Sequence, residues 1–227
     1  MSDKEQVFQR FDLNQRVQHI VLFVCLILLS LTGLALKFHN TWLGRLLMKL
    51  EGGDEVRGLI HRIAALVFIG FCFFHIFYFI FNRRGHEELM SIKPKRKDFK
   101  DFINSFKFNM GLLKKRPLYG RFSYKEKFQY WGVALGSILM IITGIILWSG
   151  TSFMNLLPKW ALDLTLIIHG YEGVLLFILL FLWHIYNVHL SPDVFPMSKI
   201  WLTGKISPEE MKKNHPLEYK EITDREK

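Results

Sequence analysis

Charge is missing from four long stretches of this 227-residue chain. Val17–Leu36, Ile63–Asn82 and Phe128–Ser149 hold no Asp, Glu, Lys or Arg, and Leu164–Leu190 holds only Glu172. An α-helix needs about 20 apolar residues to cross a hydrocarbon core of roughly 30 Å, and there it satisfies its own backbone groups. Four such runs cannot all be hidden in a soluble core of this size, so a soluble globular enzyme is excluded. Cysteine is scarce as well. Cys25 and Cys72 both fall inside apolar runs, where they pack as small hydrophobes. Two buried cysteines make no disulfide scaffold, and without C-x-x-C or C-x-x-C-H there is no zinc ribbon and no c-type haem attachment. A cleavable leader is not expected either: Ser2–Arg16 is polar, and the run after it is too long and lacks a small-residue cleavage site.

Acidic residues are outnumbered, 20 against 30 Lys/Arg, for a formal charge of +10. Position matters more than the total. Three cations precede Val17, fourteen lie between Arg83 and Lys127, and seven follow Leu190. The two other loops share five: Lys37, Arg45, Lys49, Arg57 and Lys159. That asymmetry predicts cytoplasmic termini and a cytoplasmic middle loop. Basic runs such as Lys93–Lys97 read as segments lying over anionic headgroups, not as nucleic-acid contacts.

The chain therefore reads as an all-α membrane protein, a four-helix bundle with spans at about 15–36, 59–82, 127–149 and 162–190. A cytoplasmic loop covers 83–126 and a cytoplasmic tail 191–227. Thr41–Leu50 is amphipathic and suited to the interface, and Gly52-Gly53 ends it. A short helix is expected near Asp98–Leu113. Ser207-Pro208-Glu209-Glu210 reads as a helix start, after which the tail turns polar and partial disorder is expected. Trp42, Trp148 and Trp160 read as one interfacial belt and Trp201 as the other. A weak repeat links the halves. Thr32-Gly33 and Thr143-Gly144 close spans one and three, and thirteen residues earlier stand Gln18-His19 and Gln129-Tyr130. Gly33, Gly136 and Gly144 permit close approach of helices or of a flat cofactor.

The chemistry lies in the histidines. His19, His61, His75, His169 and His184 sit inside apolar runs, where polar groups are costly and mark function. His61 and His75 are 14 residues apart, about 40° short of whole helical turns; His169 and His184 are 15 apart, about 60° beyond. Each pair shares a face across about 21–22 Å. Spans two and four run in the same direction, so His61 and His169 match in depth near the outer side. Near the inner side His184 matches His75, which depth favours, or His19. Facing histidines at two depths suit bis-imidazole ligation of two stacked b-type haems, with no open iron position for oxygen chemistry. Zinc would want a tighter cluster. His189 stands 200° round from His169 and falls off this stripe. Arg62, beside His61, is placed to hold a haem propionate or to pair with Glu172, since a buried charge needs a partner.

The order of these motifs resembles the diheme cytochrome b superfamily of formate dehydrogenase gamma subunits, nickel–iron hydrogenase cytochrome b subunits and bacterial cytochrome b561. The resemblance rests on Arg16-Val17-Gln18-His19 with Leu31-Thr32-Gly33, on His61-Arg62 with Phe68, Phe71 and His75, and on Leu166–His169 with His184-Ile185-Tyr186. Tyr119–Trp131 and the tail Gly204–Ser207 with His215-Pro216 and Tyr219 are similar to the formate dehydrogenase type. There are departures: Leu66 stands where the hydrogenase type prefers Trp, the span-four histidines are one residue further apart than usual, and Phe122-Ser123 replaces Tyr-Asn near the quinone.

The resemblance implies that His61 and His169 hold the outer haem b and His19 and His184 the inner, with His75 the alternative to His19. It further implies a single cytochrome b domain over 1–227 in the bacterial inner membrane. Such a subunit anchors an oxidoreductase complex and carries electrons between an extracytoplasmic partner and menaquinone or ubiquinone; any catalysis of its own is limited to quinone reduction or quinol oxidation. The implied partners are a formate dehydrogenase-like catalytic subunit and an iron–sulfur subunit. Alternatives are a hydrogenase, a thiosulfate-type reductase or a multihaem cytochrome c. A haem-free histidine relay or transporter is the rival reading.

Overall fold

The computed structural model describes residues 7–149, 156–192 and 194–225. Four helices have membrane-spanning length and composition: α1 (Leu13–Lys37), α3 (Gly53–Phe81), α6 (Tyr124–Trp148) and a fourth over Lys159–Leu190. All four fall where the charge-free runs predict them. At most 17% of any span's most apolar window is buried within the chain, so most of each apolar surface is left for lipid or partners to cover. The starts lie earlier than the apolar runs alone indicate. α3 begins at Gly53 and places Asp54 and Glu55 in its first turn, where carboxylates oppose the positive helix end. The fourth span begins after Pro158, which cannot continue a preceding helix.

Two compact units divide the chain. The first comprises residues 17–76 and 132–198 and carries all five intramembrane histidines. Within it, α2 (Trp42–Leu50) is capped by Thr41, whose Oγ1 accepts the Gly44 N–H at 3.1 Å. Gly44 is obligatory, because a Cβ there would lie 1.9 Å from the Phe38 carbonyl oxygen. Gly52 and Gly53, both at φ +87°, turn the chain into α3, as the sequence indicates. The fourth span begins as α7 (Lys159–Ile178) and then changes character: Leu179–His184 and Tyr186–Leu190 are π-helical. A π segment accommodates additional residues per turn. That widening takes up the extra residue between His169 and His184 and brings both to the side of their partners.

Among the described residues the second unit comprises 7–16, 77–131 and 199–225. It contains α4 (Arg83–Ile92), α5 (Arg96–Asn109), α8 (Ile200–Thr203), α9 (Pro208–Asn214) and α10 (Pro216–Arg225). α4 escapes the hydropathy pattern, yet Asn82 caps it by accepting the Gly85 N–H at 3.1 Å. Ser207 caps α9 in the expected manner, with Pro208 in its first turn. The polar tail is ordered as α10, contrary to the expectation of partial disorder, because Glu218 is drawn into a buried ion cluster. A two-residue antiparallel ladder joins β1 (Phe8–Gln9) to β2 (Lys205–Ile206), pairing Phe8 with Ile206.

Candidate functional site

The intramembrane histidines meet in twos. The rings of His61 on α3 and His169 on α7 have centroids 6.4 Å apart, and those of His19 on α1 and His184 on the fourth span 6.2 Å apart. Two imidazoles sharing one metal at about 2.0 Å from each nitrogen, with roughly 1.1 Å more to each ring centre, stand about 6.2 Å apart. Both separations fit that arrangement. Among the described residues no three His, Cys, Asp or Glu side chains converge as metal ligands.

The His61–His169 pair is oriented by two threonines. Thr32 Oγ1 donates to the Leu28 carbonyl at 2.6 Å, so toward His61 it acts as acceptor for Nδ1–H at 2.7 Å. Thr143 repeats this, donating to Leu139 O at 2.7 Å and accepting from His169 Nδ1–H at 2.8 Å. Both imidazoles therefore carry their proton on Nδ1 and keep the Nε2 lone pair for a metal. The sequence repeat of Thr-Gly acquires a physical reason here. The glycine of each motif leaves room beside the ring: a Cβ on Gly144 would lie 3.3 Å from His169 Cε1, and one on Gly33 3.7 Å from His61 Cε1.

His75 is oriented by Gln18 and Phe71. Its Nδ1–H donates to Gln18 Oε1 at 2.6 Å, and its ring stacks on Phe71 with centroids 5.8 Å apart. Sequence depth alone favoured His75 as the partner of His184; α1 instead presents His19. Tyr130, the repeat counterpart of His19, packs against Phe79 and Trp131. His189, set aside on α-helical periodicity, lies in the π-helical segment and is an electrostatic neighbour of both His19 and His184.

Arg62 does not pair with Glu172. It is exposed, with Nη1 curled back over Gly58, and Glu172 instead lies against Gly136, where a Cβ would come within 2.6 Å of Oε1. Arg57, which sequence reasoning did not single out, is a charged neighbour of His61 alongside Arg62. Its Nη1–H donates to the Thr32 carbonyl at 3.1 Å, while its Nε is buried without a partner among the described residues. An orphaned guanidinium nitrogen next to a metal-competent imidazole is suited to an anionic group such as a propionate carboxylate. Only its position four residues ahead of His61 signals this. Lys37 closes the same region, its Nζ 3.7 Å from the Tyr171 ring centroid.

The chain is 25% identical over 222 residues to the cytochrome b556(Fdn) subunit of nitrate-inducible formate dehydrogenase from Escherichia coli, covering 96% of this chain and 93% of the relative. It is 24% identical over 217 residues to the cytochrome b556(fdo) subunit from the same organism, covering 94% and 92%. It is 24% identical over 212 residues to the formate dehydrogenase cytochrome b556 subunit of Haemophilus influenzae, covering 91% and 79%. A family model described as prokaryotic cytochrome b561 matches residues 10–193, a segment that contains all four spans and both histidine pairs. The chain is thus a multi-pass membrane cytochrome b and belongs to the prokaryotic cytochrome b561 family.

Proposed function

We propose that the chain is the diheme membrane subunit of a formate dehydrogenase-like complex, carrying electrons between an extracytoplasmic partner and the quinone pool of a bacterial inner membrane. The observation that carries this reading is the pair of imidazole couples at 6.2 and 6.4 Å, their fourth-span members fifteen positions apart. Fifteen residues correspond to about 22 Å at the α-helical rise, most of a roughly 30 Å core. Haem b, when bound, supplies reversible one-electron transfer. The protein's part is to hold and orient. Thr32 and Thr143 set the imidazole tautomers, Gly33 and Gly144 keep space beside the rings, and Arg57 offers a cation to a propionate. The likeness to three formate dehydrogenase cytochrome subunits supports that class of catalytic partner, and the proposal adds an iron–sulfur subunit as the electron relay. The Lys/Arg imbalance supports termini and middle loop on the cytoplasmic face, with the His61–His169 pair near the opposite face and quinone exchange near His19 and His184.

The test is a pyridine haemochrome assay on the purified chain with a reduced-minus-oxidised spectrum. Two b-type haems per chain are expected; one haem would end the two-site reading, and none would favour a histidine relay. His75→Ala is expected to keep both haems, since it is the His19 ring that faces His184, with centroids 6.2 Å apart. Loss of a haem in this variant would make His75, not His19, the ligand.

A further inference from the structure

α5 is built with its polarity reversed relative to a helix packed on a soluble core. Its inward residues are polar: Asp98 accepts from Lys127 Nζ at 3.0 Å and from the Lys95 backbone N–H at 2.6 Å, Asp101 is buried, and Ser105 hydrogen-bonds Tyr119 at 2.7 Å. Ile103 and Phe108 are half-buried, but the other large apolar residues face away. Phe99, Phe102, Phe106 and Met110 are 68%, 50%, 61% and 60% exposed. At 100° per residue these four fall within about 80° of arc, an apolar strip on the order of 400 Å². Soluble surfaces carry such residues singly, and a contiguous strip marks an interaction face. Lys100 and Lys107 stand about 80–100° further round from Phe99. The stretch from Lys93 to Arg116 carries nine Lys/Arg against Asp98 and Asp101, both turned inward.

We infer that α5 is an in-plane membrane helix whose Phe99–Phe106 strip enters the acyl boundary of an anionic phospholipid leaflet while the surrounding lysines engage its headgroups. Charge selects this occupant. Protein interfaces are depleted in lysine, whereas a cationic rim around an aromatic strip complements an anionic leaflet. The tether is short at both ends, because α5 lies between the end of one span at Phe81 and the start of the next at Tyr124. This inference is independent of the identity of any catalytic partner.

The experiment uses the full chain with Cys25→Ala and Cys72→Ala, spin-labelled at Phe106→Cys or Phe99→Cys and placed in nanodiscs of phosphatidylcholine with or without 30% phosphatidylglycerol. Power saturation with oxygen and a water-soluble nickel chelate reads label depth. With phosphatidylglycerol, both labels are expected to be open to oxygen and shielded from the chelate, and a label at Lys100→Cys the reverse. Replacing Lys93, Lys100, Lys107 and Lys114 by Glu is expected to lower the docked-to-undocked ratio at low ionic strength, about fivefold for each cation removed. A Phe106 label open to the chelate in both disc types would overturn the inference. So would a label shielded from both relaxants, which would mean that a protein surface or a second copy covers the strip. Equal depth in both lipids, unmoved by the lysine replacements, would overturn the anionic recognition.

Discussion

His61→Ala is expected to halve the haem content of the purified protein, and His169→Ala to remove the same half. Their rings stand 6.4 Å apart and each donates its Nδ1–H to a threonine, so both Nε2 atoms remain for one iron. With one imidazole of a couple removed, the remaining histidine alone would offer a haem a single nitrogen and would hold it more weakly. His19→Ala and His184→Ala are expected to remove the other half, on the strength of their 6.2 Å separation. Low-temperature reduced spectra resolve the two components. If His61→Ala and His169→Ala deplete different components, the pairing is wrong; if neither lowers the haem-to-chain ratio, these histidines do not hold iron.

Glu218→Ala is expected to unlock the polar unit. The Glu218 carboxylate accepts from Arg10 Nη1 at 2.6 Å and from Arg121 Nη1 at 2.8 Å, and Arg10 is only 3% exposed. Arg121 in turn binds Glu88, donating from Nε at 2.8 Å and from Nη2 to the second oxygen. These partners come from the N-terminal segment, α4, the loop before α6, and α10. Removing the shared carboxylate leaves the buried Arg10 guanidinium with only the Glu126 carboxylate at 3.6 Å, and breaking a buried pair costs up to about 3–5 kcal/mol. The expected readout is rapid proteolysis of α9 and α10 at protease levels that leave the native chain intact, with the haem spectrum unchanged. A tail as resistant as the native one would show that the cluster contributes little. Glu218→Leu paired with Arg10→Met is expected to recover part of the resistance, because an apolar pair leaves less charge unmatched.

Acid is expected to loosen the same unit. Burial pushes the Glu218 carboxyl up, but Arg10 and Arg121 outweigh it and hold the group below its ordinary value. Burial, assisted by Arg10, depresses His215, whose Nδ1–H donates to the Gly120 carbonyl at 2.8 Å. For both groups the unfolded segment binds protons more readily than the folded one, so stability falls as pH falls. The loss begins near the ordinary imidazole value of about 6.5 as His215 charges. It deepens as pH drops through the lowered Glu218 value. Proteolysis at graded pH should therefore show protection above neutrality and progressive exposure of α10 below it.

How far these features could be read in advance depends on the physics behind each. The spans were legible because bilayer thickness imposes about 20 apolar residues on any crossing helix. The imidazoles on spans two and four were legible because ionisable groups are rare there and their spacing is nearly commensurate with α-helical turns. The choice between His19 and His75 was not, since both lie at suitable depth and only packing sets the His19 ring against His184. His189 was discarded on a 3.6-residue period that the π-helical segment does not obey. Arg57 was not singled out beside Arg62 because adjacency in sequence says nothing about which face of α3 carries a side chain; both are charged neighbours of His61. β1, β2 and the Glu218 cluster join residues about 200 positions apart, and no local periodicity encodes such contacts.

Composition and periodicity alone determined that this is a four-span membrane protein with histidines at two depths, because lipid allows so few alternatives to a long apolar helix. Only the tertiary structure decided which imidazoles face each other, which hydroxyls orient them, and which arginine stands beside His61. Those outcomes depend on helix rotation and a local change of helical pitch. Both are set by side chains meeting across helices, and neither leaves a trace along a single one.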